Sequence, residues 1–259
     1  MNAGLETVGA EGLRRFDALR TEAADAVTER LYATYGPIYE QYGPRGRKTC
    51  REDIALHLEF LRPALEFGVA PPMVDYLCWY ASVIAARGTP REHVAPSLEW
   101  LAAFYAERME PAEAAAVTAA LRAARRDFLN AETAPAAAPQ APDPWPEAAV
   151  FLSSLLAGDH REALAIMQRC TDGGRSLSEI ELHVVQPVLY QIGEKWQANQ
   201  VAVAGEHMAT AIAQSVMTAG LLRSTPVAPN GKRALLACVE GNDHALGLRM
   251  VADAFQLGG

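Results

Sequence analysis

Apolar residues recur every three to four positions along most of this chain, a period that predicts helix rather than strand. Val27, Leu31 and Tyr35 fall at fourfold spacing, as do Ile54 and Leu58, with Leu61 and Leu65 following. Pro71 and Pro72 mark the entry to a helix expected from about Met73 to Arg87, closed by Gly88. Thr89-Pro90-Arg91-Glu92 reads as a capping box with proline at the first helical position. Val94, Leu98, Leu101 and Tyr105 carry the next stripe, and an alanine-rich helix after Pro111 reaches about Leu129. Residues 1–130 therefore predict an N-terminal helical bundle with globin-like packing.

The period breaks over residues 131–146, AETAPAAAPQAPDPWP, where five prolines and six alanines predict a semi-extended linker. Beyond it come four helical signals. The first runs from about Glu147 to Leu156 and stops at Gly158. Asp159 with Glu162 starts the second, which ends at Gly173-Gly174, and Ser176 with Glu179 opens the third, which runs to about Trp196. The loop Gln197 to Gly205 leads into the fourth, from Glu206 to about Arg223. Short connections make these helices antiparallel neighbours, so residues 147–226 predict a four-helix bundle.

Residues 227–259 change character. Ala234-Leu235-Leu236-Ala237-Cys238-Val239 is a short apolar run suited to a buried parallel strand, followed by a glycine-containing loop and a helix starting near His244 to Gly247. That is the opening βα unit of a doubly wound domain, whose ligands sit at the C-terminal ends of its strands. One strand cannot make a sheet, so the expectation is that a further segment completes this domain. The fold class is mainly α, with the start of an α/β domain at the end.

Charge narrows the function. The net charge is −8 and the pI about 5.3, whereas nucleic-acid binding needs a basic footprint. The short clusters Arg45, Arg47, Lys48, Arg51 and Arg122, Arg125, Arg126 read as solvated faces. No run approaches the ~20 apolar residues that span a bilayer, and the N-terminus lacks a signal-peptide layout. The expected setting is the cytoplasm, with neither nucleic acid nor membrane as partner. Cys50, Cys78, Cys170 and Cys238 are irregularly spaced, with no CxxC pair, which argues against disulfides.

Two constellations carry candidate chemistry. In Glu240-Gly241-Asn242-Asp243-His244-Ala245-Leu246-Gly247 an imidazole at a strand end, beside amide and acidic groups, can ligate a metal while a neighbour fixes its tautomer. Gly247 would let a flat ligand approach closely. In the second, Trp196 is followed after nine residues by Glu206-His207. An indole ending one helix and a Glu-His pair beginning the next can converge over one cavity. Taken singly, each residue also fits an ordinary role: a surface histidine, a core indole, a glutamate favoured by the helix dipole.

A four-helix bundle followed by strand, loop histidine and helix resembles the cobalamin-binding module of corrinoid proteins. His244-Ala245-Leu246-Gly247 matches the H-x-x-G part of their D/E-x-H-x-x-G motif, and Trp196-x₉-Glu206-His207 matches the W-x₉-E-H signature of the light-sensing, CarH-type branch. The resemblance covers roughly residues 147–259. It implies adenosylcobalamin as cofactor, His244 as the lower cobalt ligand, and Trp196 near the adenosyl group with Glu206 and His207 on the same upper face. It implies too that light breaks the Co–C bond, releases the adenosyl group and changes subunit assembly. Two positions depart from the pattern. Asn242 stands where Asp or Glu is usual, with Asp243 adjacent, and Gln197 stands where CarH-type regulators carry a histidine that captures cobalt after illumination.

CarH-type regulators carry a basic winged helix at the N-terminus, and this chain does not. Residues His57 to Gly68 and Pro72 to Tyr80 instead resemble the helical domain of photocobilins, which implies a biliverdin beside the cobalamin. A linear tetrapyrrole wants aromatic walls, a basic group for propionates and acceptors for pyrrole N–H groups, which Arg62, Asp75, Tyr76, Trp79, Tyr80 and His93 could supply. The expected function is a sensory module rather than an enzyme: a light-dependent homo-oligomer acting on an output domain in the same chain or on a partner. The rival is a corrinoid methyl carrier of a methyltransferase system, which would share the bundle and the His244 loop. A helical interaction module that takes up no corrinoid is the third reading. His160 and His183 are expected to be structural.

Overall fold

The computed structural model describes residues 6–131, 142–225, 227–238, 242 and 245–258. Its backbone contacts divide the chain into two compact units, Met1–Ala138 and Pro139–Gly259. Among the described residues it is mainly α-helical.

The first unit is built from α1 (Ala10–Tyr39), α2 (Gly43–Phe67), α3 (Pro71–Ala85), α4 (Val94–Arg108) and α5 (Pro111–Asn130). Phe16, Leu58, Leu61, Leu65, Leu77, Leu98, Leu101, Tyr105 and Leu121 are fully buried, and burial of each large side chain contributes about 1.5–3 kcal/mol. Phe16 and Tyr105 stack at 4.9 Å, pinning α1 to α4. α2 ends where Gly68 takes a left-handed conformation (φ +70) and its N–H reaches the Ala64 carbonyl. Two residues before Pro37, Tyr35 leaves helical geometry (φ −124, ψ 27), because the proline ring cannot fit a regular preceding turn. Beyond this kink Tyr35 and Tyr39 both stack on His93, at 3.7 Å and 5.7 Å.

The expected capping box at Thr89 does not form. Thr89 is buried and its hydroxyl meets that of Tyr42 at 3.2 Å. Pro90 is extended, and a 3-10 turn, Arg91–His93, intervenes before α4. A tertiary contact has taken the hydroxyl that the local pattern assigned to a helix start.

The second unit contains α6 (Glu147–Ala157), α7 (His160–Asp172), α8 (Leu177–Ile180), α9 (Gln186–Gln197), α10 (Val203–Arg223) and α11 (Ala245–Gly258). A π turn, Glu181–Val185, joins α8 to α9. Pro187 explains it: with no N–H, proline leaves the carbonyl four residues earlier without an α-helical partner, and a wider turn makes room for its ring. Local signals set the other starts. The Glu162 N–H donates to Asp159 at 2.9 Å, and Ser176 and Glu179 form a reciprocal capping box. Phe151, Leu155, Ile166, Met167, Val185, Val188, Ile192, Ala213, Val216 and Met217 fill the core of this four-helix arrangement. Gly220 lets α10 approach closely, since a Cβ there would lie 2.7 Å from Leu177 Cδ1.

The end of the expected linker belongs to this unit. The Trp145 N–H donates to the His183 carbonyl at 3.0 Å, its ring stacks on His183 at 4.8 Å, and the Arg175 guanidinium lies 4.1 Å from its centroid. The helix of the expected βα unit is present as α11, with Leu246, Met250 and Leu257 packed on the bundle core. Its strand is not formed among the described residues: residues 234–238 have no ladder partner, and Leu235 is 94% exposed. Without a second strand to take its backbone groups, an apolar run gains nothing by extending into a sheet.

Candidate functional site

Two helix connections meet at one end of the four-helix bundle. The first, from α6 to α7, turns at Gly158, which is left-handed (φ +72). A Cβ on Gly158 would come within 3.2 Å of Met208 Sδ, so this turn lies against the first turns of α10. The second connection, Ala198–Ala202, joins α9 to α10. Asn199 turns the chain with φ 57, a conformation asparagine tolerates, and the N–H groups of Gln200 and Val201 return to the Lys195 carbonyl. Trp196 sits half-buried in the last turn of α9, and Glu206 and His207 in the first turns of α10. The fold therefore brings the three residues of the Trp-x₉-Glu-His pattern to the same end.

Their chemistry is ordered. Glu206 Oε2 meets His207 Nδ1 at 2.5 Å, and Glu206 Oε1 accepts from the Thr210 hydroxyl at 2.9 Å. A carboxylate only accepts, so a neutral His207 in this contact carries its proton on Nδ1 and keeps the Nε2 lone pair for a ligand. The His207 side chain is 75% exposed, and the Glu206 side chain 29%. The N-terminal dipole of α10 further favours the negative charge on Glu206. Thr210 was not singled out by the sequence reading. Its signal was present: a hydroxyl four residues after Glu206 shares its helix face. This donor set suits a corrinoid: a flat apolar wall, and an imidazole held in one tautomer with its free nitrogen outward.

The loop constellation is only partly described. Asp243 and His244 lie outside the described residues, as does Val239. Asn242 is exposed, and α11 begins at Ala245. Gly247 is exposed on α11 with open space where a Cβ would stand. At the other end of the bundle, where α7 and α10 terminate, a cleft of 580 Å³ is lined by Arg175, Ser178, Glu179, Arg223 and Leu257. It lies away from Trp196 and His207.

In the first unit, the six bilin candidates divide. Tyr76 is buried in an aromatic cluster: it stacks on Phe60 at 4.0 Å, lies 6.1 Å from Trp79 and from Tyr80, and its hydroxyl meets His57 Nδ1 at 2.9 Å. Trp79 and Asp75 are exposed on the same helix. Arg62 is a half-buried cation paired with Asp17 and Glu66. His93 is buried under Tyr35 and Tyr39, and burial lowers its pKa. Arg62 and His93 thus engage different partners from the cluster on α3.

The sequence reading missed two partly or fully buried carboxyl groups, because neither had a nearby pattern. Asp53 on α2 accepts from the Tyr80 hydroxyl at 3.3 Å, and burial pushes its carboxyl up to about 7. Glu181, in the π turn, is buried and held well above the usual carboxylate range, first by burial and then by the neighbouring Asp253 carboxyl. His57 is driven the other way by burial, down to about 3, and stays neutral.

No helix among the described residues is long and apolar enough to cross a membrane. No curated protein and no solved structure matches the chain. Residues 148–219 match the protein family described as a B12 binding domain, so α6 through most of α10 forms a B12-binding domain.

Proposed function

We propose that this chain is a cytoplasmic light sensor that uses adenosylcobalamin, with Trp196, Glu206 and His207 over the upper face of the corrin and His244 as lower ligand. The observation that carries the reading is the Glu206–His207 contact of 2.5 Å at the bundle end that also holds Trp196. When bound, adenosylcobalamin supplies a metal–carbon bond that visible light breaks. The chain's own residues do the rest. Trp196 walls off the upper ligand from water, Glu206 fixes the proton of His207 on Nδ1, and Thr210 holds Glu206 in place. Contacts that Trp196, Glu206 and His207 would make only with the dark form of the cofactor would favour one assembly of the chain over another. Gln197 cannot serve as a nitrogen ligand in the way a histidine would, so His207 or water would take that role in the illuminated state.

Biliverdin is proposed as a second chromophore of the first unit. Support comes from the aromatic cluster of Phe60, Tyr76 and Trp79, in which Phe60 is 39% and Trp79 41% exposed. The output would lie in a further domain or a partner.

The test is dark reconstitution of the chain with adenosylcobalamin and biliverdin, followed by illumination. Corrin and bilin bands that shift with light, together with a changed gel-filtration volume, are expected. Corrin bands that respond to a methyl donor but leave oligomer size unchanged under light would replace this reading with a methyl carrier. Absence of corrin bands would overturn it.

A further inference from the structure

A cavity of 280 Å³ opens in the first unit where the end of α1 and the start of α2 meet the end of α3. Its walls are aromatic: Tyr39 after the kink of α1, Tyr42 from the connecting turn and Tyr80 from α3. Tyr42 is held by its hydroxyl, which donates to the Arg87 carbonyl at 2.6 Å. It also depends on Gly46, where a Cβ would come within 2.2 Å of Tyr42 Cβ. Two charged groups of α2 border the space. Asp53 accepts a hydrogen bond from Tyr80 at 3.3 Å, and the positive charge of Arg87, which also lines the cavity, acts on it. Arg45 is exposed and pairs with no carboxylate among the described residues. Cys50 also lines the cavity, but burial pushes its thiol up to about 12, so it offers no nucleophile.

We propose that this cavity binds a small aromatic carboxylic acid whose ring carries an N–H or O–H donor. The tyrosines sandwich the ring, Arg45 pairs with the acid group at the rim, and Asp53 accepts from the ring donor at depth. The size follows from the volume. Sites for drug-sized ligands run from about 300 to 1,000 Å³, so 280 Å³ takes one or two fused rings. The spacing agrees: eight residues of α2 separate Arg45 from Asp53, about 12 Å along the helix axis, which a bicyclic acid and a long arginine side chain can share. The polarity follows from what is left unpaired. Asp53 has accepting capacity beyond the single long bond from Tyr80, and a ring donor bonded to it would favour its ionised form. The site is independent of the cobalamin reading, since it lies within the other unit.

The test uses indole-3-acetate, with two relatives that each lack one group: indole, which has no acid, and naphthalene-1-acetate, which has no ring donor. Binding to the full chain without corrinoid is followed by titration calorimetry and by backbone amide shifts of residues 45–53 and 80–89. Each missing group is expected to weaken binding about tenfold, the ordinary loss for a charge-assisted hydrogen bond. Arg45→Met should weaken indole-3-acetate to the level of indole and leave indole itself unchanged. Asp53→Ala should abolish the advantage of indole-3-acetate over naphthalene-1-acetate. Arg45 is on the surface, so its variant folds and reads the site even if Asp53→Ala does not. Equal affinity for the three probes would overturn the proposal, as would no binding at millimolar concentration. Displacement of indole-3-acetate by biliverdin, with shifts at the same amides, would overturn the small-acid class and give the cavity to a bilin.

Discussion

Glu181 in the π turn and Asp253 on α11 are two buried carboxyl groups, and burial first, then the neighbouring Asp253, raises the pKa of Glu181. Two ionised carboxylates buried side by side would repel, so Glu181 is the one that keeps its proton. The Arg249 guanidinium, 3.4 Å from Asp253, balances the other charge. Docking of α11 on the bundle is thereby linked to a proton. The folded state raises the pKa of Glu181, so its contribution is complete below the ordinary carboxylate value and is lost as pH rises through the raised one.

Glu181→Gln removes that titration while keeping a donor for Asp253. Wild-type protein should lose about 1 kcal/mol or more of stability between acidic and mildly alkaline pH through this group, and the variant should not. Hydrogen exchange of α11 amides across that range checks it. Parallel profiles for the two proteins would remove the linkage.

His57 gives the first unit the opposite dependence. Its folded pKa is depressed to about 3 by burial, so stability is intact above the unfolded value and falls as pH drops toward the folded one. Below about pH 6.5 the loss should approach 1.4 kcal/mol per pH unit at its steepest. His57→Phe should flatten this slope, at the cost of the hydrogen bond to Tyr76. Acid titration followed by near-UV circular dichroism reads both effects.

Much of the helical layout was legible because its signals are local. Asp159 with Glu162 and Ser176 with Glu179 sit three residues apart, and both caps form. Thr89 with Glu92 has the same spacing, yet the Thr89 hydroxyl meets Tyr42, forty-seven positions away. The same limit hid Glu181, whose partner on α11 follows seventy-two positions later (253 − 181), and Asp53, whose donor is on another helix. Trp145 was concealed by the prolines around it, which predict an extended backbone but say nothing of where the indole docks. For the candidate site, the Trp-x₉-Glu-His spacing was readable as a pattern. Its confinement to one bundle end depended on the two connections and on the Gly158–Met208 contact.

Ser176→Ala tests the local side of that contrast. It removes the acceptor for the Glu179 N–H and one arm of the reciprocal box. A loss of about 1 kcal/mol in the second unit is expected, measured by urea unfolding, with little change in the first unit.

Trp196→Ala and His244→Ala separate the two faces of the proposed corrin site. Removing the indole should weaken retention of adenosylcobalamin about tenfold, a typical cost for an aromatic anchor, or alter its photolysis. Equilibrium dialysis in the dark and bleaching rates read each. His244→Ala should give the dark spectrum of a corrinoid without a lower nitrogen ligand. If Trp196→Ala changed neither binding nor photochemistry, its assigned place above the corrin would be lost.

The mounting of Trp145 makes the start of the second unit optically visible. Trp145 touches an imidazole on His183 and a guanidinium on Arg175, and the emission of an indole depends on such contacts. Any event that pulls the preceding chain off the bundle should therefore change the emission of Trp145. The protein carries a native fluorescent reporter at the point where the chain enters its B12-binding domain.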